Sequence, residues 1–150
     1  LRWVAPAVSV ALATMSTVWA VAPPRVQHDC SLLSPVPRPC DNAAEIAPGA
    51  SIYLEVVEPT TGHWPSDPVD VASIVVKLKR GSSTAITVFG PNQLFAPGYS
   101  GIVTPQFNEN GVWGYGVQIV PTLPLDTAST YTVTVTGQNT QRHQPIDPDA

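Results

Sequence analysis

His63 and Trp64 stand just before Asp67 and Asp70, and Glu58 is close by in the chain. An imidazole among carboxylates is the raw material of a metal centre or a general base. A zinc or copper centre needs two or three further N or S ligands converging on that histidine. His28 and His143 are distant in sequence, and neither pairs with His63 at metal spacing. The stretch therefore reads as a solvated loop that happens to carry a histidine. Asp67, Asp70 and Glu58 could offer hard oxygen donors to calcium, but their spacing matches no EF-hand loop. No metal and no other cofactor is expected. A hydrolase would need an activated nucleophile or paired carboxylates, and the chain has neither Gly-x-Ser-x-Gly nor His-Glu-x-x-His. Glu55, Glu58, Glu109 and Asp126 read as surface carboxylates. The expectation is a protein that is not an enzyme.

Aromatic residues offer binding chemistry instead. In Val112-Trp113-Gly114-Tyr115-Gly116, rings alternate with glycines. On a strand, Trp113 and Tyr115 would share one face. Two neighbouring rings can stack on a sugar or anchor a partner protein. Trp64, Trp113 and Tyr115 are thus the candidate ligand-binding residues. The competing placement, preferred for Trp113, is in the core, with the glycines permitting close backbone approach or a bulge.

Composition narrows the classes. Charged residues make up 12% of the chain, net charge is −4, and Lys77 and Lys79 are the only lysines. Phosphate neutralisation needs clustered Lys and Arg, so nucleic acid is not expected as a partner. Seventeen prolines and ten glycines favour turns over helices. Arg2 followed by an apolar run reads as an export signal over residues 1–20, with Val18-Trp19-Ala20 as its cleavage site. The alternative is an uncleaved anchor, with membrane contact only through residues 1–22. Either reading places the remainder outside the cytosol, secreted or at the cell surface. Cys30 and Cys40 then form a disulfide. Closing that loop of about 11 residues constrains the unfolded chain by roughly 3 kcal/mol, less what the prolines inside it already contribute.

Residues 21–50 read as a Pro-rich lead-in pinned by this disulfide, 51–137 as the folded region and 138–150 as a disordered tail. Period-two alternation marks Ile52, Leu54 and Val56 on one strand and Ile74, Val76 and Leu78 on another. Arg80-Gly81-Ser82-Ser83 turns the second into a return strand over Ala85 to Phe89. Asn108-Glu109-Asn110-Gly111 joins Ile102–Phe107 to Val112–Val120 as a hairpin. Pro105 assigns the incoming strand to an edge or a bulge. In the last strand Tyr131, Val133 and Val135 face inward against a threonine face. No stripe of helical period follows residue 50. About six or seven short strands predict an all-β antiparallel β-sandwich preceded by a signal helix, with a small barrel as the alternative.

The run Val120-Pro121-Thr122-Leu123-Pro124-Leu125-Asp126-Thr127-Ala128-Ser129-Thr130-Tyr131-Thr132-Val133-Thr134-Val135-Thr136-Gly137 resembles the end of a bacterial Ig-like domain of the surface and S-layer type. Val56-Val57-Glu58-Pro59-Thr60-Thr61-Gly62 is similar to that family's opening strand. The resemblance implies an Ig-like sandwich with a structural or adhesive role and no active site. Members usually add a final strand carrying an aromatic, whereas this sequence turns polar after Gly137. Either that strand is absent, which leaves the preceding edge unpaired, or the polar tail replaces it poorly. The expectation is an exported, non-catalytic module with a protein or cell-wall glycan as partner. A ligand-binding module built on the exposed aromatics, or a metalloprotein centred on His63, are the competing readings.

Overall fold

Ile52, Leu54 and Val56 are buried, while Tyr53 and Glu55 between them are only half-buried. This is the dry and wet side of one strand. The structure, a computed structural model, describes residues 24–27, 49–58, 67–108, 111–126 and 128–147. Residues 1–20, read as an export signal, the Cys30–Cys40 pair read as a disulfide, His28, His63, Trp64 and Glu109 lie outside the described residues.

Eight strands are present among them: β1 (Arg25–Gln27), β2 (Ile52–Val57), β3 (Val75–Arg80), β4 (Ile86–Gly90), β5 (Leu94–Phe95), β6 (Tyr99–Asn108), β7 (Gly111–Pro121) and β8 (Tyr131–Thr136). They form two four-stranded sheets, ordered β1-β2-β7-β6 and β5-β4-β3-β8. All pairings are antiparallel. Short 3-10 turns at Val71–Ser73 and Pro91–Gln93 are the only helical elements among the described residues.

The sheets share one core. Ile52, Leu54, Val56, Val117 and Ile119 of the first cluster with Val76, Leu78, Val88 and Phe89 of the second. Burying each such side chain contributes about 1.5–3 kcal/mol. Phe89 is the largest of the fully buried side chains, and its ring centroid lies 5.0 Å from that of Phe95 in a tilted pair.

Two bulges aim side chains that regular pleating would misplace. Val76 faces Phe89 and Lys77 faces Thr87, so Val88 is skipped in the ladder. A regular strand would send Val88 and Phe89 to opposite faces, yet both are fully buried. On β7, Gln106 faces Gly114 and Phe107 faces Val112, which skips Trp113. Pro105 lies beside this second bulge on an edge strand, where a missing ladder donor costs least.

Both flanks of the core differ from the sequence reading. In the segment read as an irregular lead-in, Arg25–Gln27 pair with β2. The segment read as a disordered tail packs on the core as far as Asp147. Asn139 is fully buried, and Ile146 joins the apolar cluster. Asn139 bridges to Val69, and Gln138 to Pro145. The buried Asp67 carboxylate accepts the backbone N–H groups of Gln141 (2.8 Å) and Arg142 (2.9 Å). Asn139 Oδ1 accepts from Gln144 N at 2.7 Å, and Asn139 Nδ2 donates to Gln144 Oε1 at 3.0 Å. Asp147 N donates to Pro24 O at 2.8 Å. The segment docks through polar groups satisfied one by one, so it needs no apolar rhythm.

Glu58 links this region to β2, its Oε1 accepting the Asp67 backbone N–H at 2.6 Å. Burial raises the Glu58 carboxyl above its ordinary value, the Asp67 hydrogen bond opposes that, and the neighbouring Asp67 charge adds to the rise. The fold therefore favours protonated Glu58 more than the unfolded chain does. Its contribution is fully present below the unfolded value and is lost as pH rises. Glu58→Gln, which keeps the acceptor, is expected to raise the thermal midpoint at pH 7 and leave it unchanged at pH 4. Equal midpoints at both values would refute this.

Candidate functional site: a cleft between the sheets

Trp113 and Tyr115 are both half-buried on β7, and Tyr115 packs against the core. Trp113 occupies the bulge, where its carbonyl accepts from Glu58 N at 2.8 Å. The interleaved glycines serve the opposite face of the sheet. A Cβ on Gly114 would come within 2.8 Å of Val57 Cα, and one on Gly116 within 2.5 Å of Tyr53 Oη. The Tyr53 ring thus lies over Gly116, with its hydroxyl donating to Glu55 Oε1 at 2.7 Å.

The acidic residues near the sequence position of His63 are committed to structure. Asp67 holds the C-terminal segment, Glu58 holds Asp67, and Asp70 Oδ1 caps the Val71–Ser73 turn by accepting from Ala72 N at 3.0 Å. Among the described residues no group of three His, Cys, Asp or Glu side chains is placed to hold a metal. His143 Nδ1 lies 3.0 Å from Gln138 Nε2, at the surface.

A different set of residues converges where β3 turns into β4 and β7 gives way to the loop before β8. There a cleft of about 360 Å³ opens between the sheets. Leu78, Ile86, Leu123 and Leu125 line it with apolar surface, and Tyr99 and Tyr131 bring hydroxyls. Ile86 is 51% exposed and Leu123 79% exposed, so its rim is apolar and wet. Leu123 is held out by its flanking segment, since Pro121 and Pro124 both line the cleft and stiffen the loop.

One carboxylate organises this rim. Asp126 Oδ1 accepts from Ala128 N at 3.0 Å and Oδ2 from Ser129 Oγ at 3.0 Å. Arg80 pairs with the same carboxylate, and its Nε donates to Ser129 Oγ at 2.8 Å. The hydrogen bonds from Ala128 and Ser129, with Arg80 adding its charge, hold the Asp126 carboxyl below the usual carboxylate range. Asp126 N donates to Tyr131 Oη at 3.0 Å, which fixes that phenol and leaves its proton to be donated. Burial, with Tyr131 nearby, pushes the Tyr99 phenol up, so it stays protonated across the physiological range.

An apolar floor, two phenol donors and a fixed ion pair can bind a partly apolar group and orient it. Among the described lining residues there is no histidine or cysteine to activate a nucleophile. Sequence reasoning passed over Tyr99, Tyr131 and Leu123. The available signal was Pro121-Thr122-Leu123-Pro124-Leu125, a connection too apolar for a solvated loop. Compared with protein-family models, with curated proteins and with solved structures, the chain matches none.

Proposed function

We propose that the protein is an exported, non-catalytic Ig-like module with a structural or adhesive role at the bacterial cell surface. The strand order carries this reading. In a variable-type Ig sandwich, strands A, B, E and D form one sheet, and C″, C′, C, F and G the other. Here β1, β2, β7 and β6 take the places of A, B, E and D. In the second sheet β5, β4, β3 and β8 take those of C″, C′, C and F. The sequential numbering of the eight strands follows the same alphabetical order. On the side of β8 where strand G would lie, residues 144–146 return antiparallel beside 137–139.

The resemblance of Val120–Gly137 to surface Ig-like domains supports the same reading from sequence. Contact with a protein or a cell-wall glycan would fall on the cleft between the sheets, where apolar side chains and phenol hydroxyls lie open. The test is protease treatment of intact producing cells, followed by immunodetection of the chain. Loss of the signal while cytosolic markers survive is the expected result. A chain protected until the cells are lysed, and recovered with the cytosolic fraction, would overturn the reading.

A further inference from the structure

The polar chemistry of the cleft between the sheets is one-sided. Among the described residues no group hydrogen-bonds to the Tyr99 hydroxyl. Tyr131 Oη accepts from Asp126 N and keeps its own proton unspent. The two phenols lie near enough that Tyr131 helps to raise Tyr99. Acceptors are the opposite case. Asp126 is the one carboxylate of the lining, and Ala128 N, Ser129 Oγ and Arg80 already fill it. The lining holds no asparagine and no glutamine. A ligand seated here is asked for acceptors, and its own donors find no open carboxylate or amide.

Charge narrows the class. Arg80 is the one cation of the lining and is paired with Asp126, so the cleft has no net charge to draw an anion or a cation. The apolar part then separates the neutral ligands. Leu78, Ile86, Leu123 and Leu125 give branched aliphatic surface. A sugar brings a donor with every hydroxyl, and this lining leaves donors unanswered. A proline-rich segment brings the reverse. Each proline carries a carbonyl and no N–H, and its ring is apolar. Such a segment is already extended as a polyproline II helix, so it loses little freedom on docking.

We propose that the cleft between the sheets binds an extended, proline-rich segment of a partner protein. Tyr99 and Tyr131 donate to its carbonyl oxygens, and its rings pack on the four aliphatic side chains. This rests on the module reading and names the partner's chemistry at the same cleft. The cavity, about 360 Å³, lies at the lower end of ligand pockets, so it takes a short stretch of the segment. The described C-terminal residues leave it clear, since they return beside Gly137, past the end of β8 opposite Tyr131.

The test is a magnetic-resonance titration of the isotope-labelled purified chain with a short capped peptide of alternating proline and valine. Saturable shifts are expected at the amides of Thr84, Leu123 and Leu125, with Val112 and Gly137 unmoved. Tyr99→Phe removes one donor and little packing surface. It should weaken binding about two- to tenfold with far-UV dichroism unchanged. Leu123→Ser, at a side chain 79% exposed in the unbound protein, should weaken it at least about tenfold. Ile102→Ser, exposed on β6 and outside the cleft, should leave it unchanged. A peptide with alanine in place of each proline regains its N–H groups and its freedom, and should bind at least about tenfold more weakly.

The absence of a saturable shift, shifts centred elsewhere, or equal binding of the alanine peptide would each overturn the proposal. So would an affinity indifferent to both Tyr99→Phe and Leu123→Ser. A neutral N-acetylglucosamine oligomer that shifts these amides while the peptide does not would also overturn it and make the cleft a glycan site. None of these results depends on where the chain is displayed, so protease treatment of intact cells judges the module reading separately.

Discussion

Phe89→Ala is expected to remove about 3–5 kcal/mol of folding stability, the cost of emptying a fully packed aromatic site. Phe89 has no exposed surface, stacks at a tilt against Phe95 and sits at the register break beside Val88. The neighbouring strands cannot close over the void, because the bulge that turned the ring inward is fixed by pairing on both sides of it. Total stabilities of domains this size run to about 5–15 kcal/mol, so the variant should be close to half-unfolded under mild denaturant. Ile86→Ala on the same strand, at a half-exposed position, should cost about 1 kcal/mol or less. Urea titrations of both variants decide the matter. A loss below about 1 kcal/mol for Phe89→Ala would mean that the core is not centred on this ring.

Asp67→Ala is the second large effect. One buried carboxylate holds the backbone N–H groups of Gln141 and Arg142. Hydrogen bonds to a charged acceptor contribute about 1.5–3 kcal/mol each, so about 3–6 kcal/mol should be lost. The loss should be local first. Amide exchange at Asn139 and Ile146 is expected to accelerate strongly, while Val117 and Ile119 in the centre of β7 stay protected. Asp67→Asn, which keeps one acceptor oxygen, should lose roughly half as much. Uniform acceleration across both sheets would contradict the idea that this carboxylate fastens the C-terminal segment in particular.

Most of the strand frame was legible because alternation is a direct imprint of a half-buried sheet. Ile52, Leu54 and Val56, then Ile74, Val76 and Leu78, are inward in the sequence and buried in the structure. Asn110-Gly111 marked the β6–β7 hairpin, and Pro105 the edge and bulge that it adjoins. Short elements escaped. β1 and β5 are too brief to show a period, and β5 falls in a stretch of loop signals. The C-terminal segment escaped for another reason. Its burial rests on Asn139 and on the Asp67 carboxylate, and pattern reading scores such residues as solvated.

The candidate site was less legible than the fold. Trp113 and Tyr115 read as rings side by side; Trp113 lies half-buried at a bulge and Tyr115 packs half-buried against the core. The cleft is made by Tyr99, Tyr131, Ile86 and Leu123, which come from four separate stretches of chain. Their spacing carries no signal, because the sheets bring them together only after folding. Val133 was read as inward and pairs with the buried Leu78, yet it is partly exposed. Alternation reports which face a residue takes but is silent about whether its strand has a neighbour.

The hydrogen bond from Asp147 N to Pro24 O brings the first and the last of the described residues side by side. A unit whose two gates are side by side can be set into a surface turn of another protein without prising its host apart. It also bears tension unusually. A pull across Pro24 and Asp147 meets that hydrogen bond together with its neighbours, the β1–β2 pairing and the Ile146 N to Gly137 O bond.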